Sequence, residues 1–262
     1  MLQFSVFNDT DWLYPDSEHN THTEIALQLP RGGHDGVQLL VDAPHTPVSV
    51  SYDPEIFQHS GNGSGPVVQL YRLIPIGVNE NTSPKLMTTT DYESCREYVT
   101  RKAPFEVYDA LQPFDGEIPE GGRFALYLCA ESFPETLPGA YSGTLTIKAS
   151  GDETRIPVRY TVHTPVVPAL SEARLGMLNF FDYDGLASQH QTVKGSDAYW
   201  ESFRQYVRAQ IRMRCTHILL PPGEAVYQDN VLTGFDFSMA RRAGQIAMEE
   251  GAVRLCGGHM AH

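Results

Sequence analysis

From the amino terminus to about residue 165, apolar side chains come in short alternating runs bounded by Pro, Gly, Asn and Asp, the pattern of half-buried strands joined by tight turns. The clearest strands are predicted at residues 37–41, 67–76, 124–130, 141–149 and 155–163. Residues 143–162 read as a hairpin whose tip is Ser150-Gly151-Asp152-Glu153, where a residue able to take positive φ is needed. Pro157 lacks a backbone donor, which predicts an edge or bulged position for the second strand of that hairpin. Residues 59–66 and 79–85 are polar, turn-rich loops. Five or more short antiparallel strands imply a β-sandwich over residues 1–168.

After Pro165-Val166-Val167-Pro168, read as a stiff linker, the period changes. Trp200, Phe203, Val207 and Ile211 recur at helical spacing, with Arg204 and Arg208 between them, so residues 196–213 form an amphipathic helix begun by a Ser or Asp cap. Residues 217–220 follow as a short buried strand. A second helix is expected over 238–251, entered through Phe235-Asp236-Phe237-Ser238 and closed by Gly251. Strands at 176–181 and 252–256 complete a β, α, β, α, β order over residues 169–262, which demands parallel pairing. The expected class is therefore mixed: an antiparallel sandwich followed by the first part of an incomplete (β/α) barrel.

Composition narrows the function. Of 262 residues, 41% are hydrophobic and 19% charged, an ordinary globular balance that excludes disorder, collagen and coiled coil. The formal charge of −13 repels phosphate backbones and anionic lipid, so neither nucleic acid nor membrane is an expected partner. Residues 1–9 lack a basic leader and no run approaches about 18 apolar residues, which makes a cytoplasmic chain the expectation. Cys95, Cys129, Cys215 and Cys256 show no CxxC spacing and read as unpaired, mostly buried thiols. No GxGxxG, P-loop or GxSxG occurs, so nucleotide and serine-hydrolase readings fall away, and no cofactor is implied.

Three stretches carry a family resemblance: Gly36-Val37-Gln38-Leu39-Leu40-Val41, Tyr108-Asp109-Ala110-Leu111-Gln112-Pro113, and Pro138-Gly139-Ala140-Tyr141-Ser142-Gly143-Thr144. With a sandwich leading into a barrel, the chain resembles glycoside hydrolase family 123 and related bacterial proteins over nearly its whole length. That resemblance implies hydrolysis of terminal β-linked N-acetylgalactosamine or a similar sugar. The substrate's own 2-acetamido oxygen would attack the anomeric carbon while an Asp steadies the oxazoline and an adjacent Glu protonates the leaving oxygen, an exception to the usual carboxylate-pair scheme. The family's Asp-Glu pair lies beyond the third barrel strand. The only adjacent Asp-Glu here, Asp152-Glu153, falls in the hairpin and is read as a solvated turn. A barrel needs about 250 residues, so the expectation is a truncated barrel, inactive alone, whose open edge near residues 253–256 invites self-association.

Ligands of such barrels gather at the C-terminal strand ends. Candidate sugar contacts there are Asn179, Asp182, Tyr183, His259 and His262, with Phe180, Phe181, Pro222, Glu224, Gly257 and Gly258 beside them. Cys256, His259 and His262 have spacings a zinc ion could use, but no fourth ligand is near and no metal is assigned. His34-Asp35 reads as a Gly-rich turn, and Arg204, Arg208, Arg212 and Arg214 as a solvated face or packing group with cations near the helix's C-terminal end. Two rivals remain: a non-catalytic carbohydrate-binding sandwich and a purely structural one. Against the first, Trp12 is the sandwich half's only tryptophan.

Overall fold

The alternating stretches of the amino-terminal half form strands in a computed structural model that describes residues 2–54, 65–82, 88–89, 93, 96–97 and 99–257. Cys95, residues 59–64 and 83–85 of the polar loops, Gly258, His259 and His262 lie outside the described residues. The chain divides into two compact units, Met1–Val167 and Pro168–His262.

In chain order the first unit has β1 (Gln3–Asn8), β2 (Ile25–Arg31), β3 (His34–Ala43), β4 (Val48–Pro54), β5 (Val67–Val78), β6 (Asn81–Thr82) and β7 (Thr88–Thr89). It continues with β8 (Phe105–Pro113), β9 (Glu117–Ile118), β10 (Gly122–Glu131), β11 (Gly139–Ala149) and β12 (Asp152–Val166). Two five-stranded sheets result, ordered β1-β3-β10-β5-β8 and β2-β12-β11-β4-β9. Leu39, Leu126 and Leu128 of the first sheet meet Leu27, Leu145, Ile147, Ile156 and Val158 of the second in one hydrophobic core. Each such aliphatic side chain contributes about 1.5–3 kcal/mol on burial.

The first sheet is also covered on its other face. Leu40, Ala125 and Leu73 lie in one row across β3, β10 and β5, and Leu13 packs on them with Tyr108. That double burial explains why Val37-Gln38-Leu39-Leu40-Val41 is a continuous rather than alternating run.

Three expectations are corrected here. The hairpin tip is the residue pair Ser150 (φ 50°) and Gly151 (φ 86°), a two-residue turn of the kind whose twist suits paired strands. Asp152 and Glu153 already belong to β12, opposite Ala149 and Lys148, and Glu153 lies 3.2 Å from both Lys148 and Arg155. Pro157 does not mark an edge strand, because β12 sits between β11 and β2. The parallel pairing with β2 begins only at Val158, one residue past the ring, so Pro157 itself has a single strand neighbour. The expected linker at 165–168 is partly strand, since Val166 still pairs with Arg31.

The second unit contains β13 (Leu178–Asn179), α1 (Tyr183–Gln189), α2 (Asp197–Arg212), β14 (His217–Leu219), β15 (Glu224–Gln228), β16 (Val231–Asp236), α3 (Ser238–Glu249) and β17 (Arg254–Cys256). As expected of a β/α order, β13, β14 and β17 pair in parallel. Ser196 caps α2, its Oγ accepting from Tyr199 N at 3.3 Å. Tyr199, Trp200, Phe203 and Val207 face inward against Ile218, Ala243, Ile246 and Ala247. Gly251, at φ 94°, turns the chain out of α3.

The expected strand at 176–181 is reduced to two residues because the chain turns into α1 at Asp182. Residues 224–234, for which no element was expected, form with Phe235 and Asp236 a hairpin, β15-β16, turned by Asp229 (φ 51°) and Asn230 (φ 63°). Of the two readings of the helix cations, packing holds for Arg204 and Arg208. Arg204 and Arg208 of α2 ion-pair with Glu250, Arg208 Nε at 2.6 Å, and Arg204 also reaches Glu249 at 2.9 Å.

Candidate functional site

The C-terminal end of β13 delivers the chain to a depression of about 410 Å³, bounded by Asn179, Phe180, Phe181 and Asp182, by α1, and by Tyr206, Gln210 and Met213 of α2. Asp182 is fixed by its own backbone surroundings: Oδ1 accepts from Asp184 N at 3.0 Å and Gly185 N at 2.9 Å, the N-cap of α1. Phe180 is largely exposed, while Phe181 stacks edge-on with Tyr183 and Phe203, ring centroids 4.8 and 5.4 Å away.

The structure thus brings Asn179 and Asp182 together in one depression. Tyr183 lies behind it, buried, its hydroxyl donating to Leu219 O at 2.8 Å. Burial pushes the Tyr183 phenol far up, and pushes that of Tyr199 up to about 12, so both hydroxyls stay neutral at ordinary pH. Glu224 stands apart from Asn179 and Asp182, with Lys194 Nζ 3.9 Å away and Asp184 sharing that lysine at 2.8 Å. Gln210 was not singled out by sequence reasoning. It is buried at the depression, and its Oε1 has no hydrogen-bond partner among the described residues.

Asp182 is the one carboxylate lining the depression, and one of its oxygens is committed to the cap. A carboxylate pair of the kind that cleaves glycosides is not assembled there among the described residues. No cluster of three His, Cys, Asp or Glu side chains able to hold a metal occurs among the described residues either. His34 and Asp35 begin β3 rather than sit in the turn before it. The Asp35 carboxylate accepts from Gln28 N at 2.7 Å and Gly36 N at 2.9 Å, a structural use.

The sandwich holds a constellation that spacing did not reveal: Ser5 Oγ lies 2.9 Å from His19 Nδ1, and His19 Nε2 lies 3.0 Å from Asp42 Oδ2. The residue types are those of a hydrolase triad, but the hydroxyl is not a nucleophile. Ser5 is fully buried in β1, and its Oγ is also within bonding distance of Asn20 O at 2.9 Å. The Arg123 guanidinium is bidentate on Asp42, at 2.7 Å for both bonds, and also donates to Ser17 O at 2.9 Å. The group ties the segment between β1 and β2 to the first sheet.

The Arg123 guanidinium, and then His19, holds the Asp42 carboxyl below the usual carboxylate range. A depressed folded-state value stabilises the fold above the unfolded value of about 3.9, and that contribution is lost as pH falls through the folded value. Asp42→Asn is therefore expected to cost about 1 kcal/mol near pH 7, discounted for partial exposure. Urea midpoints measured against pH should show the gap to the unsubstituted protein closing toward pH 3; a gap that widens on acidification contradicts the assignment.

No protein-family model and no curated protein matches the sequence. Among solved structures, the chain is similar to a family 123 glycoside hydrolase from Clostridium perfringens, determined in a study of glycolipid glycan hydrolysis. The TM-score is 0.73 over 96% of this chain, at 11% identity. The chain spans about half of that structure's length, 46%. Likenesses to a PapD-like domain of human CEP192 (TM-score 0.25, 8% identity, 63% of this chain and 87% of that one) and to the CooA pilin subunit of enterotoxigenic Escherichia coli (TM-score 0.27, 10% identity, 63% and 99%) are far weaker. The likeness is one of fold: a β-sandwich unit followed by an α/β unit, similar to part of that family 123 glycoside hydrolase. Among the described residues no helix is long and apolar enough to cross a membrane.

Proposed function

We propose that this chain is the sandwich and opening α/β portion of a glycosidase-like protein acting on neutral glycans with a terminal β-linked N-acetylhexosamine, N-acetylgalactosamine in particular. One observation carries the reading: the fold likeness runs through both units, over 96% of the chain. Hydrolysis on this reading is substrate-assisted and retaining, the 2-acetamido oxygen serving as nucleophile, so the protein must supply one carboxylate to steady the oxazoline and one acid to protonate the leaving oxygen. Asn179 and Asp182 lie where ligands of such α/β folds collect, at and just beyond the C-terminal end of a parallel strand. They bind and orient hydroxyls. On this reading the acid and the stabilising carboxylate are groups other than those lining this depression, where Asp182 is the one carboxylate.

The 262-residue chain is accordingly expected to leave 4-nitrophenyl N-acetyl-β-galactosaminide intact. A longer form of the protein that spans the whole length of the family 123 structure should release 4-nitrophenol with retention at the anomeric carbon. Turnover by the 262-residue chain, or a longer form inert on aryl β-N-acetylhexosaminides, overturns the reading.

A further inference from the structure

β1 and β2 are edge strands of the two sheets, and the segment joining them, residues 9–24, frames an open groove of about 840 Å³ at that margin of the sandwich. Trp12 forms one side and is 59% exposed, although a free indole on a mobile loop would ordinarily fold down onto apolar surface. It stays out because the backbone is pinned on both sides of it. The buried Gln38 donates through Nε2 to Asn8 O and Asp11 O, both at 2.8 Å. Leu13 is fully buried, and its carbonyl accepts from Tyr108 N at 2.9 Å.

The facing wall is equally fixed. Val6 N donates to His22 O at 2.8 Å, Asn20 Nδ2 donates to Val6 O at 2.9 Å, and Asn20 Oδ1 accepts from His22 N at 2.8 Å. These bonds engage the backbone of His22 and leave the side chains of His22, Thr23 and Glu24 exposed on the groove, with no hydrogen bond among the described residues.

A rigid aromatic face beside unspent hydroxyl, imidazole and carboxylate groups is amphipathic in the same way as a sugar ring, whose axial C–H face is apolar and whose rim is all hydroxyls. The geometry points to a saccharide-binding site at this groove, in which a neutral pyranose stacks on Trp12 and its hydroxyls bond to the 22–24 wall. Asp11 and Glu24 in the lining exclude phosphorylated and sulfated rings. A proline-rich peptide is the poorer fit, since such grooves are lined by several aromatic rings and here the other aromatic, Phe7, is half-buried. The site belongs to the sandwich unit and does not rest on the activity proposed for the α/β unit.

The test uses the full 262-residue chain carrying Trp200→Phe, which leaves Trp12 as the only indole. Methyl β-D-galactopyranoside, methyl N-acetyl-β-D-galactosaminide and methyl β-D-glucopyranoside are titrated to about 20 mM while Trp12 emission is followed, and saturation-transfer NMR reports the bound sugar protons. At least one pyranoside should shift the emission with a Kd on the order of 1 mM. Trp12→Ala, in the chain retaining Trp200, should weaken the NMR-detected binding about tenfold or more. The Trp12 side chain is exposed, so its removal leaves the core intact, and unchanged circular dichroism checks that. No response to any pyranoside, binding that survives Trp12→Ala, or a shift produced by a proline-rich peptide and by no sugar each overturns the proposal. A bound sugar with no hydrolysis leaves the sandwich site standing, whatever the fate of the proposed activity.

Discussion

Phe203→Ala is expected to remove about 3–5 kcal/mol of stability, a large share of the 5–15 kcal/mol that holds an ordinary domain folded. Phe203 is 1% exposed. Its ring lies 5.4 Å from those of Phe181 and Tyr183 and 5.9 Å from Trp200, so truncation opens a cavity touching three other aromatics. The effect has its own optical signature. The two tryptophans divide between the units, Trp12 exposed and Trp200 buried, so loss of packing in the α/β unit should move only the Trp200 emission to the red. Phe203→Leu, which keeps most of the volume, should cost much less. A melting curve for Phe203→Ala that overlays that of the unsubstituted chain would show the ring cluster to be loosely packed, and would return Phe181 and Tyr183 to consideration as ligand surfaces.

The helix that carries Phe203 was legible because its signals are local. Apolar residues at three- and four-residue spacing and a Ser cap lie within one stretch of chain, and the structure places α2 at Asp197–Arg212 with Ser196 as cap. The hairpin β15-β16 was not, for two physical reasons. Its turn uses Asp229 and Asn230 at positive φ without a glycine, and Val226, Tyr227, Val231, Leu232 and Phe235 are all exposed, so no buried face imposes an alternation. Pro157 misled for a subtler cause. A missing donor is tolerated wherever one side of a strand is locally unpaired, and β12 acquires its second neighbour just one residue later.

Side-chain constellations were legible only where sequence neighbours make them. Asn179 ends one short strand, Asp182 follows it three residues later, and both line one depression. Ser5, His19 and Asp42 are 14 and 23 residues apart, and the register of β1 on β3, with Gln3 opposite Asp42, is what brings them close. Trp12 looked like an isolated ring because the groups that hold it, Gln38 and Tyr108, lie 27 and 95 residues from its chain neighbours.

Leu13→Ala should show how much of the sandwich depends on that covering segment. The side chain is fully buried against Leu40, Leu73, Tyr108 and Ala125 on the face of the first sheet opposite the inter-sheet core, so a loss of about 2–5 kcal/mol is expected. Leu126→Ala, at an equally buried position between the sheets, should cost a similar amount by the same cavity mechanism. The two differ in what they do to Trp12. Leu13 is one of the two pins beside the indole, whereas Leu126 lies on the other face, so Leu13→Ala alone should alter Trp12 emission and saccharide affinity while the protein is still folded. Denaturant unfolding gives the first quantity, and Trp12 anisotropy in the Trp200→Phe background gives the second. A Leu13→Ala cost under about 1 kcal/mol would mean that segment 9–24 rests on its hydrogen bonds and not on Leu13. Equal anisotropy in the two variants would mean that Gln38 holds the indole without help.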